Sequence, residues 1–424
     1  MTALQPPPPR SFARRLLGFI GLPLLSAISP FLVLPLLARL GGVDAWAAIG
    51  VGQSVGALAT VLVVAGWTLH GPARVAAATA TERLALYGDS LIGRAAVFLL
   101  MVPVVSAVAG LLAPDRAWLV ASLTGVSFAF SGLSPSWYCI GVGRPGLIAA
   151  YDVVPRLAGV VLSVVLLTMT GNVLVYPLTV LGAGVAGLAL FSVRVGRVQE
   201  RGPWQVRSVL GGLWRDRASV FAVGIAGVYS TTPILLMSFV LPVAALARFS
   251  SADRFFRMGL LAIISLGNAV QGWVAEDQPI TVSRRMRRAL AAHLALGVVG
   301  GLGLALVVPP LSEVLFGRAI SIEPWTAIWY GVAYCAISVN TSTGSQILVP
   351  LGGTSTVLRS TVCGAIGGVA GMLAFGWLFG GAGGAAGLAL GEVMVCLVQI
   401  AGVRRLQQRS ASGPGRVPVV AAEP

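Results

Sequence analysis

The chain has 424 residues, of which 56% are hydrophobic and only 10% are charged. Soluble domains carry about 25% charged residues, so this composition excludes an ordinary soluble protein and indicates a chain that lies mostly in lipid. The net charge is +15, and all 29 cationic side chains are arginine. Most of them lie in short segments between apolar runs rather than in a basic domain. We therefore expect them to set membrane topology and to meet anionic lipid headgroups, not to bind nucleic acid.

Apolar runs long enough to cross a bilayer as helices recur along the chain. The first starts near Leu16, after a proline run (Pro6–Pro9) that predicts a disordered cytoplasmic tail over residues 1–15. This first run is too long for a cleavable signal peptide, so we interpret it as a span. We predict twelve spans, with ten or eleven as the alternative because spans four, six and twelve are the least distinct. The spans cover residues 16–38, 46–69, 91–113, 118–137, 147–170, 173–193, 218–240, 249–272, 289–311, 324–348, 359–380 and 384–403.

The arginines between the spans predict their orientation. With the N-terminus in the cytoplasm, most arginines fall in inner segments, whereas the outer loops hold only Arg39, Arg116, Arg248 and Arg318. This asymmetry follows the positive-inside rule. Both termini are therefore predicted to be cytoplasmic.

The longest internal polar stretch, residues 194–217, is rich in arginine and divides the chain into two halves of six predicted spans. The halves cover residues 16–193 and 218–403, and a cytoplasmic disordered tail follows over residues 404–424. Each half starts and ends inside, so the two can be parallel repeats related by an axis along the membrane normal. The predicted fold class is an all-α integral membrane protein with two six-helix bundles.

No catalytic, nucleotide-binding or metal-binding motif is found in the sequence. A Walker-type phosphate loop needs a lysine, which this chain lacks. His70 and His293 stand near predicted membrane boundaries without ligand partners at metal spacing, so we interpret them as interfacial histidines. The outer loops are short, the longest being about residues 312–323, which disfavours a membrane-embedded glycan polymerase or ligase. We predict no catalytic residue, no metal and no cofactor.

Ionisable side chains inside predicted spans are the best indication of function, because each costs at least ~2.5 kcal/mol at the bilayer centre. Asp152 and Arg156 stand four residues apart in span five, as do Asp253 and Arg257 in span eight, where Arg254 adds a second cation. Spacing of four places each pair on one helix face, where the charges can neutralise one another. The alternatives to a functional role are such self-pairing and snorkelling to the headgroups. A further acid, in span twelve, is Glu392.

Prolines mark possible hinges, because each removes a helix hydrogen bond and permits a kink. Pro23, Pro30 and Pro35 all fall in span one, and Pro233 falls in span seven. Span one is therefore the leading hinge candidate.

Four stretches together resemble the polysaccharide (O-antigen type) flippases of the multidrug/oligosaccharidyl-lipid/polysaccharide exporter superfamily. They are the run Leu34–Gly41, the helix ending near Gly66 with Arg74–Ala76 after it, Pro135–Tyr138 with Gly141, and Ala247–Arg254. The resemblance covers about residues 12–405. Two departures put family statements on ion coupling in doubt: Arg248 replaces the usual glycine, and Thr231-Thr232-Pro233 stands where span seven often has an acid.

The resemblance implies a flippase for a polyprenyl-pyrophosphate-linked oligosaccharide, acting by alternating access through a central basic cavity. It would lie in the bacterial cytoplasmic membrane, with polysaccharide polymerase and glycosyltransferases as possible partners. Arg156, Arg254 and Arg257 are then candidates for binding the pyrophosphate, with Arg39 at the cavity mouth. Asp152, Asp253 and Glu392 are candidates for ion coupling or charge pairing. The alternatives within the superfamily are a peptidoglycan-precursor flippase and a cation-coupled multidrug exporter.

Overall fold

The computed structural model describes residues 32–64, 66–198, 232–275 and 282–412. Within these ranges all regular structure is helical, which confirms the predicted all-α class. The α-helices are α1 (Leu34–Val64), α2 (Trp67–Ala77), α3 (Ala80–Leu112), α4 (Trp118–Phe130), α5 (Ser136–Gly141), α6 (Pro145–Ile148), α7 (Val154–Thr170), α8 (Val175–Val198), α9 (Pro233–Ser238), α10 (Val243–Ala275), α11 (Arg284–Leu306), α12 (Val308–Phe316), α13 (Pro324–Thr341) and α14 (Thr354–Ser412).

Seven helical segments in the described part of the chain are long and apolar enough to cross a membrane. Six of them coincide with predicted spans two to six and nine, and the seventh covers predicted spans eleven and twelve together. Helices α10 and α13 coincide with predicted spans eight and ten. Residues 16–31 of predicted span one, 218–231 of predicted span seven, the tail 1–15 and most of the linker 194–217 lie outside the described residues.

Several helices extend beyond the predicted spans. Helix α3 begins at Ala80 rather than near residue 91, because Thr79 and Glu82 form a capping box: Thr79 N donates to Glu82 Oε2 at 2.8 Å, and the Thr79 side chain accepts from Glu82 N. Helix α8 runs to Val198 and helix α14 to Ser412. The predicted boundaries at residues 194 and 404 therefore lie inside helices.

Predicted spans eleven and twelve are the two arms of α14, which is interrupted at Gly380 (φ 65°, ψ −145°). Glycine adopts this positive φ without the steric cost that a Cβ would bring. The arms fold back on each other, because a Cβ on Gly387 would lie 2.1 Å from the backbone N of Met372. The arms are thus an antiparallel hairpin packed through glycines, as is common between membrane helices.

The chain forms two compact units, and it passes from the first to the second within α10. The first unit comprises residues up to Asp253 together with Pro310–Ile322, and the second comprises Arg254–Pro309 and the residues from Glu323 onward. The segment Pro310–Ile322, predicted as an outer loop, is tied to the first unit. The ring centroids of Trp46 and Phe316 are 4.9 Å apart, and Ser251 Oγ donates to Ile320 O at 2.8 Å.

Small residues also hold the helices together within each unit. In the first unit, α1 packs against α4 so closely that a Cβ on Gly56 would lie 2.3 Å from Gly125 O. In the second unit, α11 packs against α13, where a Cβ on Gly331 would lie 2.5 Å from Gly301 O. Substituting these glycines would force the helices apart, so the glycine content is part of the packing.

Two π-helical segments interrupt the regular helices. Ala149–Val153 joins α6 to α7, and Ser342–Leu348 continues α13. The first precedes Pro155, whose missing N–H cannot take part in a regular helix. Wide turns of this kind occur frequently at functional sites, and both segments carry polar residues described below.

Candidate functional site

Arg156 lines a cavity of about 290 Å³ inside the first unit. It lies in the first turn of α7, directly after the π-helical segment that carries Asp152. The predicted pairing is present: Arg156 Nη2 lies 3.1 Å from Asp152 Oδ1, and the two side chains are 35% and 20% exposed. The guanidinium is therefore partly buried and already compensated by an acid.

The Asp152 carboxylate is also held from a second helix. Ser136 Oγ donates to Asp152 Oδ2 at 2.9 Å, and Ser134 Oγ lies 2.8 Å from Ser136 Oγ. Both carboxylate oxygens therefore have hydrogen-bond partners, one on α7 and one on α5. The acid is therefore held by groups on two helices, whereas Arg156 Nη2 binds the acid on its own helix side.

The rest of the cavity wall combines hydroxyl groups with aromatic rings. The wall includes Ser127, Ser131, Phe130, Tyr151 and Tyr176. The Ser127 hydroxyl is buried and has no hydrogen-bond partner among the described residues. A cavity with a cation, an acid, hydroxyls and ring faces can bind a polar molecule that carries both hydroxyl groups and negative charge.

Arg94, which the sequence analysis did not single out, is buried beside this cavity. Its side chain is 2% exposed, and Nη1 donates to Gly132 O at 2.9 Å and to Ser134 O at 3.0 Å. The guanidinium also lies 5.6 Å from the centre of the Trp137 ring, within cation–π range. Arg94 thereby holds the turn that precedes α5, and with it the serines that bind Asp152.

The three candidate charges of span eight lie together on α10. Asp253 is 1% exposed and Arg254 is 7% exposed, while Arg257 is partly buried. Arg254 and Arg257 belong to the second unit, whereas Arg39, Asp152 and Arg156 belong to the first. Asp253 and Arg254 are thus buried in protein, which disfavours the alternative that Arg254 snorkels to the headgroups.

Arg39, predicted at a cavity mouth, is exposed and bound to backbone. Its Nη2 donates to Val314 O, in the last turn of α12, at 2.7 Å. Cations at a helix C-terminus satisfy its free carbonyls and oppose its dipole. The contact therefore gives Arg39 a structural role in attaching α12.

The hinge candidates lie at helix starts or outside the described residues. Pro23 and Pro30 fall outside them. Pro35 is the second residue of α1 and Pro233 the first of α9, positions at which proline costs no helix hydrogen bond. The break within α1 is at Gly42 (φ 67°, ψ −168°), at the predicted boundary between spans one and two.

A second polar cluster lies within the second unit, around the π-helical segment Ser342–Leu348. Glu392 is 9% exposed, and Asn340 Nδ2 donates to Glu392 Oε2 at 3.1 Å. One turn further, Thr343 Oγ1 donates to Gln399 Oε1, and Gln399 Nε2 donates to Ser360 Oγ at 3.2 Å. The sequence signal for this cluster is the polar run Asn340–Gln346 inside an otherwise apolar span.

His293 belongs to the same cluster, which corrects its interpretation as an interfacial residue. It is 0% exposed, and its ring nitrogens lie 3.4 Å from Ser338 Oγ and 3.2 Å from Gln346 Nε2. Its partners lie 45 and 53 residues away along the chain. Only the tertiary packing of α11 on α13 and on the π-helical segment brings them together.

Comparison with known proteins supports the resemblance predicted from the sequence. No protein-family model matches the chain. A Shigella dysenteriae protein named "Putative O-antigen transporter" is 20% identical over 344 residues, which are 80% of this chain and 86% of that protein. Its match over most of both chains confirms the predicted resemblance to O-antigen-type flippases.

Solved structures of membrane transporters match the whole chain. The lipid II flippase MurJ, in an inward closed conformation, has a TM-score of 0.66 at 11% identity and covers 93% of this chain and 91% of its own. An inward-facing multidrug resistance transporter of the MATE family of the MOP superfamily has a TM-score of 0.59 at 16% identity, with 94% and 96% covered. The chain has the fold of this superfamily. Its relatives are named as transporters and flippases, in agreement with the prediction of a superfamily member without enzyme chemistry.

Proposed function

We propose that the protein flips a polyprenyl-pyrophosphate-linked oligosaccharide from the cytoplasmic to the outer leaflet for surface polysaccharide synthesis. The observation that carries this proposal is the likeness to the Shigella dysenteriae O-antigen relative over 80% of the chain. The buried and half-buried arginines of both units add the chemistry that such a substrate requires. No covalent bond forms or breaks, so the protein acts as a transporter.

A pyrophosphate cannot enter hydrocarbon without compensation of its charge. Guanidinium groups bind phosphate oxygens with two parallel hydrogen bonds, which an ammonium group cannot do. In this proposal Arg156 supplies such a group in the first unit, and Arg254 and Arg257 supply them in the second. The prenyl tail would stay in the surrounding lipid, which solvates it at no cost.

The cavity next to Arg156 has the polar and aromatic wall that suits a sugar. Hydroxyl groups of Ser127 and Ser131 can exchange hydrogen bonds with sugar hydroxyls, while the Tyr151 and Tyr176 rings offer apolar faces. Such mixed walls are typical of sites that fix a polar ligand by a few placed groups. Glycosyltransferases would build the substrate on the inner side, and a polymerase would use it after transfer.

A lipid II flippase is the second candidate, because its substrate carries the same pyrophosphate linkage and MurJ shares the fold at a TM-score of 0.66. The charge of the cavity next to Arg156 disfavours a multidrug exporter. Cationic drugs need acids in the cavity, whereas Asp152 is paired with Arg156.

The test is complementation of a bacterial strain from which this gene has been deleted. We expect lipid-linked oligosaccharide to accumulate on the cytoplasmic leaflet and surface polysaccharide to be lost, and the wild-type gene to restore both. The triple variant R156A/R254A/R257A should fail although it reaches the membrane in equal amount. A matched triple variant of inner-segment arginines, R284A/R285A/R287A, controls for general loss of charge. Full export by the first triple variant, or rescue of a lipid II flippase deletion instead, would contradict the proposal.

A further inference from the structure

The cluster around His293 is a fully buried chain of hydrogen bonds in the second unit. His293, Ser338 and Ser342 are 0% exposed and Gln346 is 1% exposed. Ser338 Oγ donates to His293 O at 2.6 Å and lies 3.4 Å from His293 Nδ1, while Ser342 Oγ donates to Gln346 Oε1 at 2.9 Å. Gln346 Nε2 lies 3.2 Å from His293 Nε2.

These contacts define the protonation state of the ring. Since the Ser338 hydroxyl uses its proton on a backbone carbonyl, its oxygen is free to accept from Nδ1–H. Since Ser342 donates to Gln346 Oε1, the amide group turns its NH₂ towards Nε2, which must then accept. The ring is therefore neutral, with its proton on Nδ1, and both nitrogens are satisfied.

The same residues can hold a second proton after one local change. If the Gln346 amide turns by half a rotation, Oε1 accepts from a protonated Nε2 and Nε2 of Gln346 donates to Ser342 Oγ. Gln346 lies in the π-helical segment Ser342–Leu348, whose wide turns differ from the regular helix α13 that precedes it. A glutamine between a histidine and a serine can thus pair with the ring in either protonation state, while the Ser342 hydroxyl donates to Gln346 in the first and accepts from it in the second.

The surroundings make the two protonation states favour different conformations. The ring's hydrogen-bond partners are neutral, and α10 carries no charged side chain between Gly259 and Ala275. The acids and cysteines on the other packed elements are Cys335 on α13 and Cys363, Glu392 and Cys396 on α14, and α13 also carries Tyr330 and Tyr334. The arginines stand towards the helix ends, at residues 284–288 of α11 and at residues 359, 404 and 405 of α14. A charged imidazole at zero exposure without an anion is costly, so protonation favours a conformation in which water reaches the ring.

We propose that His293, with Gln346 and Ser342, is a proton-binding site that couples protonation to a conformational change at the π-helical segment. The described conformation is the neutral one. The coupling of proton binding to transport rests on the proposed function, and in that role the proton is the driving ion. As a proton-binding site, it stands on the geometry alone.

Titration of the ring tests the site without any substrate. The chain has two histidines, so the H70Q variant with isotope-labelled histidine gives one NMR signal set in lipid nanodiscs. We expect a neutral ring protonated on Nδ1 at high pH and uptake of one proton as the pH is lowered. The Q346L variant, which cannot turn an amide, should weaken proton binding at His293 roughly tenfold or more. S345A, an exposed neighbour in the same segment, is the matched control and should leave binding unchanged.

Two results would overturn the site: a ring that stays neutral down to the lowest pH at which the protein remains folded, or equal proton binding in Q346L and wild type. Coupling is tested separately by export in the deletion strain, where H293Q at equal membrane abundance should remove the dependence of export on external pH. If H293Q does not fold, Q346L serves in its place. Unchanged pH dependence in a folded variant overturns coupling. If His293 titrates but the wild-type gene exports no polysaccharide, the proposed function is contradicted and the proton-binding site is not.

Discussion

Asp152 and Arg156 form an ion pair of 3.1 Å whose two members are held differently. The acid accepts a second hydrogen bond from Ser136, whereas the guanidinium donates to Asp152 through Nη2. An incoming phosphate can therefore take Arg156 from Asp152 without disturbing the acid. In the proposed function, the pair is the resting state, in which the carboxylate occupies the place that the anionic substrate takes on Arg156.

This difference between Asp152 and Arg156 predicts that substituting them has unequal effects on export. R156A should lower export roughly 10- to 100-fold, since a hydrogen bond to a charged group contributes about 1.5–3 kcal/mol. D152N should retain export, because it removes the competitor and keeps the hydrogen bond with Ser136. Export is measured as surface polysaccharide per transporter molecule in the membrane.

The swapped variant D152R/R156D separates this function from a purely structural pair. It restores opposite charges at the same spacing but moves the cation, so we expect no recovery of export. If both single variants lose export equally and the swapped variant recovers it, the pair only stabilises the fold.

Arg94 should be required for stability, because its guanidinium joins α3 to the carbonyls of Gly132 and Ser134. R94M leaves these carbonyls without their donor, and we expect a loss of about 3 kcal/mol in the free energy of unfolding. R94K should recover little, because an ammonium cannot present the same planar fork. Denaturant unfolding of the purified protein measures the change. R116A, at an exposed position, is the control, and an unaltered R94M would contradict the role.

Because the two arms of α14 lie so close together, we expect one added methyl group between them to lower the stability of the protein strongly. A Cβ on Gly387 would lie 2.1 Å from Met372 N, so G387A must push the arms apart and should cost about 2 kcal/mol or more. A Cβ on Gly182, in α8, would meet nothing within 4 Å. G182A should therefore leave stability unchanged or raise it by about 0.5–1 kcal/mol. Equal unfolding midpoints for the two variants would show that the hairpin packs differently.

Membrane orientation is predicted by the arginines alone and can be measured with reporters. A fluorescent protein fused after Ser412 should fold and fluoresce in the cytoplasm, and alkaline phosphatase at that position should be inactive. A phosphatase inserted at residues 115–117, between α3 and α4, should be active outside. The reverse pattern would overturn the positive-inside interpretation.

Long-range contacts mark the limit of what the sequence predicts. Span positions follow from hydropathy, and the turn at Gly380 falls in the short gap between predicted spans eleven and twelve. The Asp152–Arg156 pair was predictable because its members are four residues apart. Arg94, in contrast, is recognised only through carbonyls 38 and 40 residues away. The partner of Arg39 is 275 residues away, so its attachment to α12 has no local signal.

The π-helical segments show the same limit at the level of the backbone. Apolar runs predict a helix over residues 324–348 but carry no information on where a turn widens, since that depends on neighbouring helices. Only the polar run Asn340–Gln346 indicated an unusual site there. Its meaning becomes clear when α11 and α14 supply His293, Glu392 and Gln399 as partners.

Glu392 was a candidate for ion coupling, and its contact with Asn340 makes a specific prediction. Asn340 Nδ2 donates to Glu392 Oε2 at 3.1 Å, and the amide oxygen of a glutamine can accept the same bond. E392Q should therefore keep the unfolding free energy of the wild type, whereas E392A removes one of the two acceptors of Asn340 Nδ2, leaves it only the backbone oxygen of residue 392, and should cost about 1 kcal/mol or more. We expect E392Q to export at the wild-type rate if the carboxylate serves as an acceptor. If E392Q is stable but exports nothing, the negative charge of Glu392 is needed for ion coupling, because the fold and the hydrogen bond are both intact in that variant.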